Sequence, residues 1–249
     1  MSDTTTLRVH RFKQGDQAPH HDRFEVPIGP RTTVLDALTA IRRTQDPSLT
    51  LRHSCVHASC CTCGMKVNDR EVLACVTNVR ELGSAEVVVE PLDNAPVISD
   101  LVVDMGPFFA RLNAADRPLV RESELVPGSH PAEGVPHAER YEDCIECGIC
   151  VSACPIAGTD STYLGPAALA AVDRVTEEPR GADVPFVLRL ADDPHGAWRC
   201  HLAFECTEAC PSNVDPAGHI MKLRGSLICL LYTSPSPRDL STSRMPSSA

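Results

Sequence analysis

Apolar and polar residues alternate in several short stretches of the first hundred residues, which is the pattern of half-buried β-strands. We expect strands at 7–12 and 23–28, on either side of a polar turn, and further short strands at 65–67, 71–75 and 85–92. Because these stretches are short and turn residues separate them, they predict one small mixed sheet.

A different periodicity occupies the stretch between the second and third strands. Thr33 is followed three residues later by Asp36, which is the spacing of a capping box and marks the start of a helix. The apolar residues that follow recur at helical spacing and share one face: Val34, Leu35, Leu38 and Ile41. The sequence therefore predicts one helix packed on the sheet.

After residue 96 the strand pattern gives way to a helical one. We expect a helix at 98–112, then a polar connector that contains Pro and Gly at 113–139. From 141 onward we expect short helices, among them 166–178 and one that begins with Asp215 as its cap and Pro216 at its first position.

These patterns divide the chain into two domains and predict the α+β class. The expected parts are a sheet domain at 1–110, a connector at 111–140, a helical domain at 141–225 and a Ser- and Pro-rich tail at 226–249. We interpret the tail as either disordered or foreign to the native chain, and assign it no function.

Charge and hydropathy exclude two classes of protein. The formal net charge is −10, whereas a nucleic-acid-binding protein needs an excess of Lys and Arg to contact the phosphate backbone. No stretch reaches the ~18 apolar residues of a membrane span, and the N-terminus lacks the apolar core of a secretory signal. We expect a protein that binds no nucleic acid and meets a membrane only through a partner.

Cysteine is the outlier of the composition, with 13 residues in 249. The number is odd and most of the cysteines lie two or three residues apart, unlike the even-numbered frameworks of short secreted proteins. Reduced thiols that bind metal explain this usage better than disulfides.

The first cysteine group lies in the block CVHASCCTCGMKVNDREVLAC at 55–75. Cys55, Cys60 and Cys63 have the C-x4-C-x2-C spacing of plant-type [2Fe–2S] ferredoxins, and Cys75 is the distant fourth ligand. Two bridged irons need four thiolates, and a tight loop can supply three of them. Zinc is the alternative, although zinc ligands usually come as two separated pairs.

Cys61 departs from this pattern, because its position in such loops is usually Gly, which lets the backbone curl around the cluster. We interpret Cys61 as a substitution without a ligand role, and a spare ligand is the alternative. Cys229 is the other cysteine without an assigned role.

The second cysteine group consists of two related runs. CIECGICVSACP at 144–155 is the C-x2-C-x2-C-x3-C-P run of bacterial ferredoxins, in which the fourth Cys binds the other cluster of a pair. CHLAFECTEACP at 200–211 supplies the second run, and superposition aligns Ala203 with Cys147. One thiolate is therefore missing.

The crossover rule assigns the ligands of two clusters. The complete set, for [4Fe–4S], is Cys144, Cys147, Cys150 and Cys210. The incomplete set is Cys154, Cys200 and Cys206. A [4Fe–4S] cubane needs a ligand for each of its four irons, and only three thiolates are available here. We therefore predict a [3Fe–4S] cluster at this second site, with a higher reduction potential than the neighbouring [4Fe–4S] cluster.

A plant-type loop followed by a ferredoxin pair that lacks one Cys resembles the iron–sulfur subunit of succinate dehydrogenase and fumarate reductase, over roughly residues 5–225. The likeness includes DLVVDMGPFF at 100–109, YLGPAALAA at 163–171 and RCHLAFECTEACP at 199–211. The resemblance implies an N-terminal β-grasp plant-type ferredoxin domain and a C-terminal all-α helical ferredoxin domain. It also implies single-electron transfer through [2Fe–2S], [4Fe–4S] and [3Fe–4S] clusters, from the FAD of a flavoprotein subunit to a membrane quinone.

The resemblance implies further partners and a quinone end. Pro155 and His201 match positions that touch the quinone in the family, and Arg224 falls where the family often has a basic residue near the quinone or heme. The segment after Pro155 lacks the Trp of the better-known succinate dehydrogenases, which favours menaquinone. We expect a membrane anchor that can carry heme, at the cytoplasmic side of the cell membrane, and no catalytic residue in this chain.

Other interpretations stay open at the level of sequence. The chain could serve another flavoenzyme, such as a glycolate oxidase or a thiol-linked fumarate reductase, although the latter needs Cys-Cys-Gly domains downstream. A redox sensor or structural metal module would need a DNA-binding or partner-binding element, and neither a basic helix nor a helix-turn-helix pattern occurs.

Overall fold

The computed structural model describes residues 3–115, 143–177 and 184–233. Most of the expected connector, including 116–140, and the last part of the expected tail, 234–249, lie outside the described residues. Within the described ranges, a sheet domain is followed by a group of helices.

The N-terminal domain is a five-stranded mixed sheet with the strand order β2-β1-β5-β3-β4. Its strands are β1 (Asp3–Arg11), β2 (His20–Ile28), β3 (Gly64–Val67), β4 (Arg70–Leu73) and β5 (Glu86–Glu90). β1 runs antiparallel to β2 and parallel to β5, while β3 pairs antiparallel with both β4 and β5. All five expected strands are present, and the predicted mixed sheet is confirmed.

One helix, α1 (Val34–Thr44), covers this sheet. The Thr33 hydroxyl accepts from the Asp36 N–H, and the Asp36 carboxylate accepts from the Thr33 N–H, so the predicted capping box is present. A cap of this kind typically stabilises a helix by about 1 kcal/mol. The apolar face, including Leu38 and Ile41, is fully buried against sheet residues such as Leu7 and Val87.

The prediction of a helix at 98–112 is wrong for the first half of that range. Residues Val97–Ser99 and Val102–Val103 form a small antiparallel pair, β6 and β7, and the helix α2 occupies only Gly106–Ala115. The cause is Asp100, which is fully buried at a φ of 45° between the two strands. Its carboxylate accepts from the N–H groups of Phe12 and Thr50 and pairs with Arg11 and Lys13, so long-range contacts override the local helical pattern.

The second domain is helical in its described residues. Its helices are α3 (Ile149–Ser152), α4 (Pro155–Thr159), α5 (Pro166–Glu177), α6 (Val184–Ala191), α7 (Glu205–Glu208) and α8 (Pro216–Thr233). α5 is the centre of this domain, because α2, α6 and α8 all pack against it. The predicted α+β class, with a sheet domain before a helical one, is confirmed.

The helix α8 begins at Pro216, as the sequence predicts, but ends beyond the expected end of the domain. The Asp215 carboxylate accepts from the Gly218 N–H, as expected of a cap. The helix then continues to Thr233, so the boundary expected at 226 lies within it. None of the helices in the described ranges has both the length and the apolar character that crossing a membrane requires.

Polar contacts join the two domains. The Asn94 amide, at a φ of 61°, donates to the carbonyl oxygens of Val151, Ser152 and Cys154 at 2.8–3.0 Å. The Ser152 hydroxyl accepts from the Asp93 N–H and donates to Glu71. The sheet domain therefore caps the last turn of α3 and fixes the first cysteine run against the sheet.

Candidate metal centres

The loop 55–63 folds its backbone N–H groups toward cysteine sulfurs. The Sγ atom of Cys55 accepts from the N–H groups of His57, Ser59 and Cys60 at 3.2–3.4 Å. The Ala58 N–H donates to the Sγ atom of Cys75 at 3.3 Å, although Cys75 lies 17 residues further along the chain. Such donors stabilise negative charge on sulfur, which a bound, reduced cluster requires.

Regular elements hold the two buried cysteines of this group. Cys63 directly precedes β3, and Cys75 lies in the turn after β4, two residues beyond the end of the strand. The Ala74 N–H donates to the Cys63 carbonyl at 3.1 Å, and the Ala74 carbonyl accepts from the first turn of α1. The structure thus brings Cys75 back to the loop, as the sequence predicts, from a turn instead of from within a strand.

The thiols of this loop differ in acidity. The hydrogen bond with the Thr62 hydroxyl, 3.1 Å from the Sγ atom, lowers the pKa of Cys60 to about 6, and the Cys55 N–H contributes. Burial raises the pKa of Cys63 to about 11. Coordination to iron removes the proton from either thiol, so both are suited to be ligands once metal is present.

Cys61 has the backbone conformation that the sequence predicts to favour Gly, with a φ of 57°. Its side chain is partly buried, and burial, then Cys60 and Glu146, raise its pKa. Cys61, Glu146 and Cys147 line a cavity of about 520 Å³ between the loop and the helical domain. Cys61 therefore lies between the first cysteine group and the second, and not among the four expected ligands.

The two cysteine runs of the helical domain have the same backbone. In the first, Glu146 and Gly148 have positive φ values of 54° and 76°; in the second, Leu202 and Phe204 have 57° and 65°. A four-residue helix follows each pair, α3 at Ile149–Ser152 and α7 at Glu205–Glu208. This repeat supports, from backbone geometry alone, the superposition that aligns Ala203 with Cys147.

A cavity of about 410 Å³ contains the four cysteines of the complete set. Cys144, Cys147 and Cys150 come from the first run and Cys210 from the second, as the crossover rule predicts. Apolar residues form much of the remaining wall, including Phe108 and Ala170. The structure therefore brings together the residues that the sequence assigns to one site.

The thiols of this cavity lie deep in the protein. Burial raises the pKa of Cys147 to about 12, and the neighbouring Cys144 and Cys210 add to the increase. Burial also raises the pKa of Cys150 far above its ordinary value. Thiolates in such surroundings need nearby positive charge, which a group containing iron provides.

The incomplete set also converges, but with one open side. Burial raises the pKa of Cys206 to about 12, and the next largest causes are its neighbours Cys154 and Cys200. The Sγ atom of Cys200 accepts from the Leu202 N–H at 3.3 Å. Ala203, at the position of the missing thiolate, is exposed. Cys154 and Cys200 therefore lie near enough to Cys206 to raise its pKa, and the position that lacks a thiolate lies at the surface.

One further polar group faces this second site. The side chain of Tyr163 is fully buried, and its hydroxyl has no oxygen or nitrogen partner among the described residues but interacts with the Cys200 thiol. Burial, followed by Cys200 and Cys154, raises the pKa of Tyr163 far above its ordinary value. A buried hydroxyl beside these thiols, with no oxygen or nitrogen acceptor, fits a site that receives a group rich in acceptors.

A carboxylate hub positions the segments that carry Tyr163 and Cys200. Asp160 accepts from the Thr162 hydroxyl and from Arg199, and it pairs with His195 at 3.1 Å. The hydrogen bonds of Thr162 and His195 lower the pKa of Asp160 far below its ordinary value. Sequence reasoning missed this hub, Tyr163 and Asn94, because they act through contacts that no local spacing encodes.

Two of the residues expected at the quinone end directly follow cysteines of the second site in the chain, and the third contacts the backbone of Cys200. Pro155 is exposed at the start of α4, directly after Cys154, and His201 is exposed directly after Cys200. Arg224 donates to the carbonyl oxygens of Ala197 and Cys200. Its guanidinium also lies 5.8 Å from the ring centroid of Trp198, whose exposed fraction is 37%. Arg224 thus supports the backbone that carries Cys200.

The donor chemistry fits iron–sulfur clusters. Eleven thiols converge in three groups, loop N–H groups point at sulfurs of the first, and buried thiols form the walls of the second. Among the described residues, no three His, Cys, Asp or Glu side chains are arranged to hold a single metal ion.

Two known sequence families match the two domains. Residues 6–110 match a family described as a 2Fe-2S iron-sulfur cluster binding domain, and residues 140–214 match one described as a 4Fe-4S dicluster domain. These descriptions confirm the predicted [2Fe–2S] and [4Fe–4S] cofactors, and a [3Fe–4S] cluster completes the set that iron–sulfur subunits with this pair of domains carry.

Relatives align along most of the chain. The fumarate reductase iron-sulfur subunit of Mycobacterium tuberculosis is 39% identical, covering 90% of this chain and 93% of that relative. The succinate dehydrogenase iron-sulfur subunit of Coxiella burnetii is 32% identical, covering 90% and 97%. A solved structure titled Mycobacterium smegmatis Sdh1 complex in the apo form has the same fold, with a TM-score of 0.84 at 23% identity, over 94% of this chain and 99% of that one.

The match therefore spans both domains, and the relatives are subunits of oxidoreductase enzymes. The predicted family is confirmed: the chain belongs to the iron–sulfur subunits of fumarate reductase and succinate dehydrogenase.

Proposed function

We propose that this chain relays single electrons between the FAD of a flavoprotein subunit and a membrane quinone, within a succinate:quinone oxidoreductase. The observation that supports this most strongly is the repeated cysteine run that lacks one thiolate at Ala203, on an exposed edge of the helical domain. Two clusters with equal ligand sets would suit many electron carriers. Two clusters of different reduction potential suit transfer in sequence toward a quinone.

The ligand assignment is part of this proposal. Cys55, Cys60, Cys63 and Cys75 would hold [2Fe–2S], and Cys144, Cys147, Cys150 and Cys210 would hold [4Fe–4S]. Cys154, Cys200 and Cys206 would hold [3Fe–4S]. The backbone hydrogen bonds to the Cys55 and Cys75 sulfurs and the cavity with four cysteines support the first two sets. The convergence of three thiols near Tyr163 supports the third.

When bound, the clusters supply reversible one-electron chemistry, which a two-electron donor and a two-electron acceptor require between them. The residues of this chain hold the three sites close together. Gly64, which directly follows the loop 55–63, lies close to the first run: a Cβ atom added at Gly64 would be 3.7 Å from the carbonyl oxygen of Cys147. Cys206 lies near enough to Cys150 to contribute to the raised pKa of that thiol. We assign no catalytic residue to this chain.

The quinone would bind at the open side of the site formed by Cys154, Cys200 and Cys206. Pro155 and His201 flank the ligands Cys154 and Cys200 on the exposed surface, and a His there can donate a hydrogen bond or a proton to a quinone oxygen. Arg224 would act by holding the Cys200 carbonyl. The exposed Phe204 adds apolar surface. The absence of Trp from the segment after Pro155 favours menaquinone.

The partners follow from the same arrangement. The sheet domain, proposed at 1–110, would face the flavoprotein, and the helical domain, proposed at 141–225, would face a membrane anchor that can carry heme. The chain would then lie at the cytoplasmic side of the membrane. The division at 110 is approximate, because α2 extends from Gly106 to Ala115 and packs on α5.

Rapid mixing and freeze-quenching test the relay. The assembled complex would be mixed with succinate, frozen at increasing times and examined by EPR, with and without a quinone analogue of higher reduction potential than the succinate/fumarate couple. We expect the clusters to be reduced within one turnover and to be reoxidised when the analogue is present. Clusters that stay oxidised with succinate, or that the analogue does not reoxidise, would contradict the proposal.

A further inference from the structure

Tyr163 has an unusual position for a tyrosine. Its side chain is completely buried in the helical core, and its hydroxyl has no oxygen or nitrogen partner among the described residues but interacts with the Cys200 thiol. Leaving a buried hydroxyl unpaired is unfavourable, since the group loses its hydrogen bonds to water and gains none in return. The hydroxyl therefore needs an acceptor that protein oxygen and nitrogen atoms do not supply here.

The surroundings of the hydroxyl identify that acceptor. Besides burial, the groups that raise the pKa of the hydroxyl are the thiols of Cys200, Cys154 and Cys206, and Cys200 packs against the core that contains Tyr163. These are the three cysteines of the incomplete site, and Cys154 belongs to the same buried core as Tyr163. Sulfur in a neutral thiol is a weak acceptor, whereas sulfur that carries negative charge accepts strongly.

Hydrogen bonds hold the segment that carries the ring. The Tyr163 N–H donates to the Asp160 carbonyl at 3.2 Å, and the Leu164 N–H donates to the His195 carbonyl at 2.9 Å. Asp160 is bound in turn to Arg199, the residue before Cys200. The backbone of Tyr163 and the Cys200 loop are therefore tied to the same hub, which holds the two segments together.

We propose that Tyr163 is a positioning residue that donates a hydrogen bond from its hydroxyl to a sulfur of the cluster held by Cys154, Cys200 and Cys206. This inference rests on the proposed assignment of these three cysteines as the ligands of that cluster. A hydrogen bond to cluster sulfur stabilises the reduced, more negative state, so the donor raises the reduction potential. The site of the complete set has the ring of Phe108 in its wall, which has no hydroxyl to donate.

Tyr163→Phe in the assembled complex is the direct test. A potentiometric titration followed by EPR should show the three-iron signal retained, with its reduction equilibrium shifted about tenfold toward the oxidised state, or about 59 mV for one electron. Proton ENDOR in H₂O and D₂O should show the loss of one exchangeable coupling. The potentials of the other two clusters should stay unchanged.

Thr176→Val is the matched control. It removes a hydroxyl from the same helical domain, on α5, but that hydroxyl donates to the Asp173 carbonyl and belongs neither to the cysteine sites nor to the hub around Asp160. The potential of the three-iron cluster should be the same as in the unmodified complex. An equal shift in both variants would mean that the hydroxyl of Tyr163 has only a structural role, and would overturn the proposal.

Site-specific 3-fluorotyrosine at position 163 keeps the ring and the hydroxyl, and so tests the proposal even where Tyr163→Phe prevents assembly. The more acidic hydroxyl is a stronger donor and should shift the equilibrium toward the reduced state. A three-iron cluster with the same potential in every variant would overturn the role of Tyr163 and leave the proposed relay intact. An unmodified complex without a three-iron signal would instead overturn the ligand set.

Discussion

The two cysteine runs of the helical domain share a backbone and differ in chemistry. Each places two residues with positive φ before a four-residue helix, but Cys147 of the first run corresponds to Ala203 of the second. The first site lies in an apolar cavity with four cysteines, whereas the second has three cysteines, a buried tyrosine hydroxyl and an exposed edge. One repeated structure can thus present two environments to iron.

The runs are also held by different parts of the molecule. Asn94, from the sheet domain, donates to three carbonyl oxygens of the first run, while Arg224, from α8, donates to carbonyl oxygens at the start of the second. The first site is therefore coupled to the domain with the [2Fe–2S] loop. The second depends on the helical core and on the surface proposed to meet the membrane.

Cys147→Ala would make the first run resemble the second, and we expect the largest effect from it. The [4Fe–4S] site would lose its fourth ligand, and succinate–quinone turnover should fall by on the order of 100-fold or more, since changes outside the ligand set alone cost about 10–100-fold. Iron analysis and EPR of the dithionite-reduced complex would measure the loss. The control is Cys229→Ala, which removes an exposed thiol far along α8. An undiminished [4Fe–4S] signal in Cys147→Ala would show that the ligand set is wrong.

Ala203→Cys is the reciprocal change and should have the next largest effect. A fourth thiolate should convert the [3Fe–4S] site to [4Fe–4S] and lower its potential by more than about 59 mV, a tenfold change in a one-electron equilibrium. Quinone reduction should slow, and the three-iron EPR signal should disappear. Ala203→Val, which adds volume without a thiol, should keep that signal. Identical spectra for the Cys variant and the unmodified complex would refute the alignment of the two runs.

Asn94→Gly tests the coupling between the domains. Glycine accepts the φ of 61° without strain, so the variant removes only the amide and its three hydrogen bonds. We expect a loss of about 1–2 kcal/mol in stability and faster amide hydrogen exchange at 149–154. The second run should exchange as before. If amide hydrogen exchange became equally faster in both cysteine runs, the two runs would not be held by different parts of the molecule.

Cys61→Gly should have the smallest effect. Cys61 adopts a left-handed conformation that costs a residue with a Cβ atom roughly 1 kcal/mol, so glycine should raise stability by a similar amount. The [2Fe–2S] signal should be unchanged, because an extra thiol outside the ligand set has no cluster role. A changed g-tensor in this variant would instead support the spare-ligand interpretation of Cys61.

Local chemistry explains what the sequence predicts well. The capping box at Thr33 and the apolar face of α1 lie within one helix, and the cysteine spacings lie within short loops, so each is complete in a few consecutive residues. Asp100 shows the opposite case, because its four partners come from two distant segments and replace an expected helix with a strand pair. Asn94 and Tyr163 likewise acquire their roles only once distant segments are packed together.

The missing thiolate at Ala203 is the centre of this account, and low-temperature EPR of the oxidised, assembled complex tests it most directly. We expect a [3Fe–4S] signal in the complex as isolated, stoichiometric with the subunit, that disappears on reduction while the signals of the other two clusters develop. An oxidised complex without that signal, in which the second site holds a fourth iron, would contradict it.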